Sequence, residues 1–164
     1  MDDYPISGPN TTFQDIYDRF LGKITDDMYM EWTYEDTIAD LYNILMDAIP
    51  GFEFPRFPLY DFGEDSYNVH LTSEEINILA LLMYNTWLQR QVASIENTRM
   101  KYSGADFKMT SQANHLDKLI KLKQEAERQS HHMQRLYKRR KMVDGKGSIQ
   151  SNWSSIMEMS ALDD

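Results

Sequence analysis

The sequence predicts an all-α protein: a small helical bundle dominated by a long antiparallel helical hairpin, with an extended aromatic strap and a C-terminal docking tail. Apolar residues recur at the helical period in several segments, and no segment shows the regular alternation of a β-strand. The 164 residues are enough for one hydrophobic core, and the absence of cysteine excludes disulfide bonds and cysteine-ligated metals. We therefore expect an N-terminal arm (1–10), one helical domain (11–144) and a tail (145–164).

The hairpin is the largest predicted element and covers residues 72–142. Thr72 stands three residues before Glu75, the spacing of a capping box that starts a helix. Apolar residues then recur on one face of this first helix: Ile76, Leu79, Ala80, Met83, Trp87, Val92 and Ile95. The second helix is predicted to begin at Thr110 or Ser111 and to end before the Asp144-Gly145 pair.

Two shorter helices are predicted before the hairpin. Thr11 or Thr12 caps the first, whose apolar stripe is Phe13, Ile16, Tyr17, Phe20, Leu21 and Ile24. Residues 26–32 are expected to connect it to a second helix, which opens at Thr33 and closes at Pro50-Gly51. Both helices are expected to pack against the hairpin.

An aromatic strap is predicted between these helices and the hairpin. Its five rings are Phe52, Phe54, Phe57, Tyr60 and Phe62. Pro55 and Pro58 exclude a regular helix and favour an extended chain, so we expect the rings to alternate between the core and the outside. Two interpretations stay open: the strap covers its own bundle, or some of its rings contact a neighbouring subunit.

Charge is distributed unevenly along the chain. Residues 1–100 carry 5 basic and 18 acidic side chains, residues 101–147 carry 12 and 5, and residues 148–164 carry 0 and 3. The basic cluster near the end of the hairpin is Arg135, Lys138, Arg139, Arg140 and Lys141. These charges could simply be solvated, they could dock on an acidic neighbour such as another copy of the chain, or they could neutralise phosphates of a nucleic acid. The acidic remainder and the lack of a helix-turn-helix pattern argue against specific DNA recognition.

The tail carries an apolar stripe that predicts a short amphipathic helix. Its candidate docking residues are Ile149, Trp153, Ile156, Met157, Met159 and Leu162. A helix of this length is marginally stable alone in water, so we expect the tail to become ordered by docking on a partner. The alternative is that it folds back onto its own domain.

Catalytic and metal-binding patterns are weak, and we expect neither an enzyme nor a cofactor. His131 and His132 are adjacent and so lie on different helix faces, and Glu127 is the one carboxylate at helical spacing from His131. The first residues lack the basic and apolar regions of a signal peptide, and the longest apolar run, residues 78–84, is too short to span a membrane. We therefore expect no membrane association.

Three segments resemble small neck proteins of tailed bacteriophages, the head-to-tail connector, adaptor or head-completion proteins. They are residues 71–77 (LTSEEIN), 103–116 (SGADFKMTSQANHL) and 134–137 (QRLY), the last followed by the basic run. The resemblance covers residues 11–142 and implies a helical virion protein that forms a ring of about twelve copies beneath the portal.

The same resemblance implies how such a ring works. It would join the capsid to the tail and line the channel through which genomic DNA passes without sequence-specific binding. Its partners would be other copies of itself, the portal protein and the next neck or tail-completion protein, and its C-terminal tail would enter the portal. The protein would assemble in the host cytoplasm and remain in the neck of the virion. Two other classes stay open: a helical nucleic-acid-binding regulatory protein and a transient assembly factor.

Overall fold

The computed structural model of the chain describes residues 8–24, 28–101, 109–142 and 149–151. The α-helices in these residues are α1 (Phe13–Leu21), α2 (Met28–Glu31), α3 (Tyr34–Ala48), α4 (Ser73–Lys101) and α5 (Met109–Lys138). A 3₁₀ turn (Ile49–Gly51) follows α3, and two short strands, β1 (Arg140–Met142) and β2 (Ile149–Ser151), follow α5. Most of the described residues are helical, which confirms the all-α class.

Three helices begin with a threonine followed three residues later by an acidic residue. The capping pairs are Thr12–Asp15, Thr33–Asp36 and Thr72–Glu75. At the start of α4, the Thr72 amide donates to the Glu75 carboxylate at 2.8 Å, and the Glu75 amide donates to the Thr72 hydroxyl at 3.2 Å. Each pair satisfies amides of the first turn that have no partner within the helix, and these caps confirm the three predicted helix starts.

Helix α4 lies at the centre of the bundle, and α1, α3 and α5 all pack against it. All six residues from 78 to 83 are buried, including Ile78 and Leu81, which are not among the apolar face predicted for this helix. The prediction of a single apolar face was therefore too narrow for this part of α4. A helix that is apolar on every side is one that has neighbours on every side.

Helices α4 and α5 run in opposite directions, because the start of one contacts the end of the other. The side-chain amide of Asn77 lies 3.8 Å from the sulfur of Met133. Further along, a second and smaller apolar cluster joins Leu88 of α4 to Leu119 and Ala126 of α5.

The end of α5 differs from the prediction. The helix ends at Lys138, and Arg140–Met142 pairs as an antiparallel strand with Ile149–Ser151. The predictions that the helix reaches Met142 and that Ile149 begins a second helix are therefore wrong. The intervening sequence contains Asp144-Gly145, a pair that favours turns between antiparallel strands, and the pairing satisfies backbone groups of Arg140–Met142 and Ile149–Ser151. Trp153, Ile156, Met157, Met159 and Leu162 lie outside the described residues.

Two smaller differences concern the first half of the chain. Met28–Glu31 forms the short helix α2, whereas a connector was expected there. Helix α1 ends at Leu21, so Ile24 lies beyond it although it still packs on the core. Just before α1, the amide of Thr11 donates to the carbonyl of Val69 at 3.0 Å.

The central position of α4 generates a stability prediction. Leu79→Ala should lower the free energy of unfolding by about 2–5 kcal/mol, because Leu79 is fully buried in the main core cluster. Leu122→Ala removes the same atoms from a side chain that is 49% exposed, and should cost about 0.5 kcal/mol or less. Chemical denaturation of both variants measures the difference, and equal losses would contradict the assignment of α4 as the core helix.

Candidate functional site

The strap is held to the two long helices by a buried carboxylate. Glu75 lies in the first turn of α4 and is fully buried. Its Oε2 accepts hydrogen bonds from the amide and hydroxyl of Thr72, at 2.8 and 2.9 Å, and its Oε1 accepts one from the hydroxyl of Tyr137 at 2.6 Å. A buried charge is tolerated when its lone pairs are satisfied in this way. Glu75 therefore joins the start of α4 to the end of α5.

Arg56 of the strap completes this arrangement. Its guanidinium lies over the Tyr137 ring, 3.9 Å from the centroid, and its Nη1 is 3.8 Å from Oε1 of Glu75. Its Nη2 donates to the carbonyls of Tyr137 and Arg140, at 3.2 and 3.0 Å. The guanidinium thus balances the negative charge of the Glu75 carboxylate. It also binds carbonyls at and just after the C-terminal end of α5, which is the negative end of the helix dipole and where carbonyls have no partner within the helix.

A second buried group on α5 fixes the beginning of the strap. The side-chain amide of Gln134 accepts from the backbone amide of Glu53 at 2.7 Å and donates to the carbonyl of Gly51 at 3.1 Å. The Phe52 ring packs edge-on against Tyr137, with 5.4 Å between centroids. The first part of the strap is therefore anchored on the last two turns of α5.

The anchored strap buries some of its rings and exposes others. Phe52 and Phe57 are buried in their own core, Phe62 is half-buried, and Phe54 and Tyr60 are 44% and 66% exposed. Of the five rings predicted as candidate subunit contacts, these two are the ones that the structure leaves most available to another molecule.

The basic cluster lies beside the exposed part of the strap. Arg135, Lys138 and Arg139 are exposed, and the ammonium of Lys138 sits 4.0 Å from the centroid of the Phe54 ring. Arg140 is engaged differently, because its Nη1 donates to Glu74 at 2.7 Å. Lys141 lies in β1. We call the exposed set Phe54, Arg135, Lys138 and Arg139 the basic–aromatic surface.

A second surface lies between α1 and α3 and was missed by the sequence analysis. It is a groove of about 810 Å³. Its apolar lining is Phe13, Tyr17, Tyr34, Ile38 and Tyr42, and its acidic residues are Glu35, Glu64 and Asp65. The signal in the sequence was the repeat of Tyr34, Ile38 and Tyr42 at four-residue spacing, which puts them on one face of α3. We call this feature the acidic–aromatic groove.

The floor of this groove is uncharged. Burial, together with the neighbouring Tyr42 and Asp65, raises the pKa of the Tyr17 hydroxyl far above its ordinary value. The phenol therefore keeps its proton at any physiological pH. The negative charge of the groove comes from Glu35, Glu64 and Asp65, all of which are exposed.

Neither surface has the arrangement of a metal site. Within the described parts of the chain, no three side chains of histidine, aspartate or glutamate come together as metal ligands. His131 contacts Glu53 at 3.2 Å on the surface, and His132 is exposed. No helix in those parts is long and apolar enough to cross a membrane.

In three separate comparisons, no family model, curated protein or solved structure matches the chain.

The role assigned to Glu75 generates a prediction. Tyr137→Phe removes the hydroxyl that donates to the buried carboxylate and should lower the free energy of unfolding by about 1–3 kcal/mol. Tyr60→Phe is the matched control, because it removes the same atom from an exposed ring and should change stability by less than about 0.5 kcal/mol. If both variants unfold at the same denaturant concentration, the hydrogen bond from Tyr137 to Glu75 does not stabilise the fold.

Proposed function

We propose that this chain is a structural protein of the neck of a tailed bacteriophage, without enzymatic activity. Copies of it form a ring beneath the portal, join the capsid to the tail and line the DNA channel. The ring assembles in the host cytoplasm and stays in the virion. The proposal combines the sequence resemblance to neck proteins with a fold that presents two surfaces of opposite charge.

The observation that carries the proposal is the way the basic–aromatic surface is built. Phe54 and Lys138 come from distant parts of the chain, and the Lys138 ammonium lies over the Phe54 ring. The strap that carries Phe54 is held by the contact between Arg56 and the buried Glu75. Exposed aromatic rings and arginines are enriched among the residues that dominate protein–protein interfaces, and this surface offers Phe54 together with Arg135 and Arg139. It is a composition suited to assembly with other proteins.

The finer architecture follows from this role. The hairpin of α4 and α5 is the rigid body of each subunit, the strap supplies contacts to neighbouring copies, and the tail docks on the portal or on the next neck component. The net charge of −9 suits a channel, because phosphates then pass without being held.

Binding to the portal protein of the phage that encodes the chain tests the proposal. Native mass measurement of the mixture should give a complex with several copies of this chain, because a ring repeats one contact. The full-length variant Trp153→Ser, Ile156→Ser, Met157→Ser should bind at least about tenfold more weakly, since it loses the apolar side chains of the tail.

Replacing Ser154, Ser155 and Ser160 by alanine is the matched control, and portal binding should be retained. Failure of the unmodified chain to bind the portal under any condition would overturn the proposed function. Undiminished binding by the triple-serine variant would overturn the role of the tail alone.

The exposed basic cluster also favours one other candidate, a nucleic-acid-binding regulator. If Arg135, Lys138 and Arg139 each neutralised one phosphate, the logarithm of the DNA affinity would fall with the logarithm of salt concentration with a slope of about −3. A titration of duplex DNA at several salt concentrations separates the two functions, because the neck protein should bind too weakly to define such a slope. Mass spectrometry of purified virions distinguishes the neck protein, which should be present in them, from a transient assembly factor, which should be absent.

A further inference from the structure

The acidic–aromatic groove is an exposed surface whose charges have no partner in the described part of the chain. No lysine or arginine lines it, and no hydrogen bond or ion pair joins the carboxylates of Glu64 or Asp65 to another described residue. Tyr34 at its rim is 76% exposed. Contiguous exposed aromatic surface of this kind is uncommon on a monomeric protein and often marks a binding site.

The exposed apolar surface continues beyond the groove. Trp32 lines an adjoining depression that shares Ala39 and Asn43 with the groove, and Met30 next to it is 85% exposed. No lysine or arginine lines this depression either, although Arg90 pairs with Asp40 of its lining at 3.0 Å. Aromatic ring faces and carboxylates both attract cations, so this surface favours a binding segment that carries lysine or arginine beside apolar side chains.

The chain itself contains such a segment. Arg135 and Lys138 stand three residues apart and so share one face in the last turn of α5, and Arg139 follows directly after the helix. None of them lines the groove of its own chain, and no hydrogen bond or ion pair joins the guanidinium of Arg135 or Arg139 to another described residue. The C-terminal tail is a poor candidate for the groove, because residues 148–164 carry 0 basic and 3 acidic side chains.

We infer that the acidic–aromatic groove binds the basic–aromatic surface of a second copy of this chain. The contact joins two different surfaces, so in a pair one copy keeps a free basic–aromatic surface and the other keeps a free groove for further neighbours. Such a contact repeats from copy to copy and either closes into a ring or continues as a filament. The inference deepens the proposed function and rests on it for the biological role of the ring, but the contact itself can be tested without a portal.

The test reverses the charge on each side separately and then mixes the variants. Variant A carries Glu64→Lys and Asp65→Lys in the groove, and variant B carries Arg135→Glu and Arg139→Glu at the end of α5. Each variant alone opposes like charges, so its self-association constant should fall at least about tenfold relative to the original chain. In the mixture, the ends of A meet the grooves of B and the reversed ends of B meet the reversed grooves of A, so association should return.

Sedimentation velocity over a range of protein concentrations at low and moderate salt measures these constants. The control for B is Lys118→Glu with Lys121→Glu, which makes the same charge change elsewhere on α5, and the control for A is Glu96→Lys with Asp117→Lys. Both controls should associate like the original chain, and circular dichroism should give the same helix content for all variants.

The inference is overturned if the original chain stays monomeric at every concentration, if A and B associate as well as it does, or if mixing A with B restores nothing. If the chain is monomeric but still binds the portal, the inferred contact is wrong and the proposed function stands. If the chain associates as described but never binds the portal, the proposed function is wrong and the inferred contact stands.

Discussion

The structure depends on the burial of one carboxylate. Glu75 is removed from water at the start of the central helix, and a charge in that position is stable only if the surrounding chain supplies donors and a cation. Thr72 supplies two donors from the cap of α4, Tyr137 supplies a third from the end of α5, and Arg56 supplies the cation from the strap. Three segments that are far apart in the sequence are thereby held at one point.

This constraint explains why the strap can serve as part of a surface, although it has no regular secondary structure. Its proline-containing chain would be mobile if it were held by apolar contacts alone, whereas Arg56 and Gln134 give it directional bonds to α5. Phe54 is then presented next to Lys138 in a fixed position. Elsewhere on the surface, α1 and α3 leave aromatic side chains around an acidic groove. The described part of the chain thus carries one basic and one acidic surface.

Much of the helical framework could be predicted from local sequence. The threonine and acidic pairs at three helix starts depend on neighbouring residues, so their spacing was a sufficient signal. The continuous apolar run that includes residues 78–83 was used only to exclude a membrane span, and one apolar face was predicted from periodicity, whereas the run marks a part of the helix that is buried on every side. The end of α5 was mispredicted because basic residues such as Arg140 are compatible with a helix terminus, and the competing turn signal of Asp144-Gly145 was taken only as a helix stop. The bonds of Arg56 could not be predicted, since they depend on residues brought together by tertiary packing. For the acidic–aromatic groove only the α3 side had a local signal, the spacing of Tyr34, Ile38 and Tyr42, whereas its closure by α1 and by Glu64 and Asp65 depends on packing.

The central claim is that buried polar bonds make the strap part of the folded core, and native-state hydrogen exchange tests it most directly. The amides of Glu53 and Arg56 donate to Gln134 and to the hydroxyl of Tyr137, and they lie outside any helix or strand. If the strap is anchored, both amides should exchange with opening free energies within about 1 kcal/mol of the amides in the last turns of α5, and Tyr137→Phe should lower both. Exchange of these two amides at the rate of an unprotected loop would contradict the account.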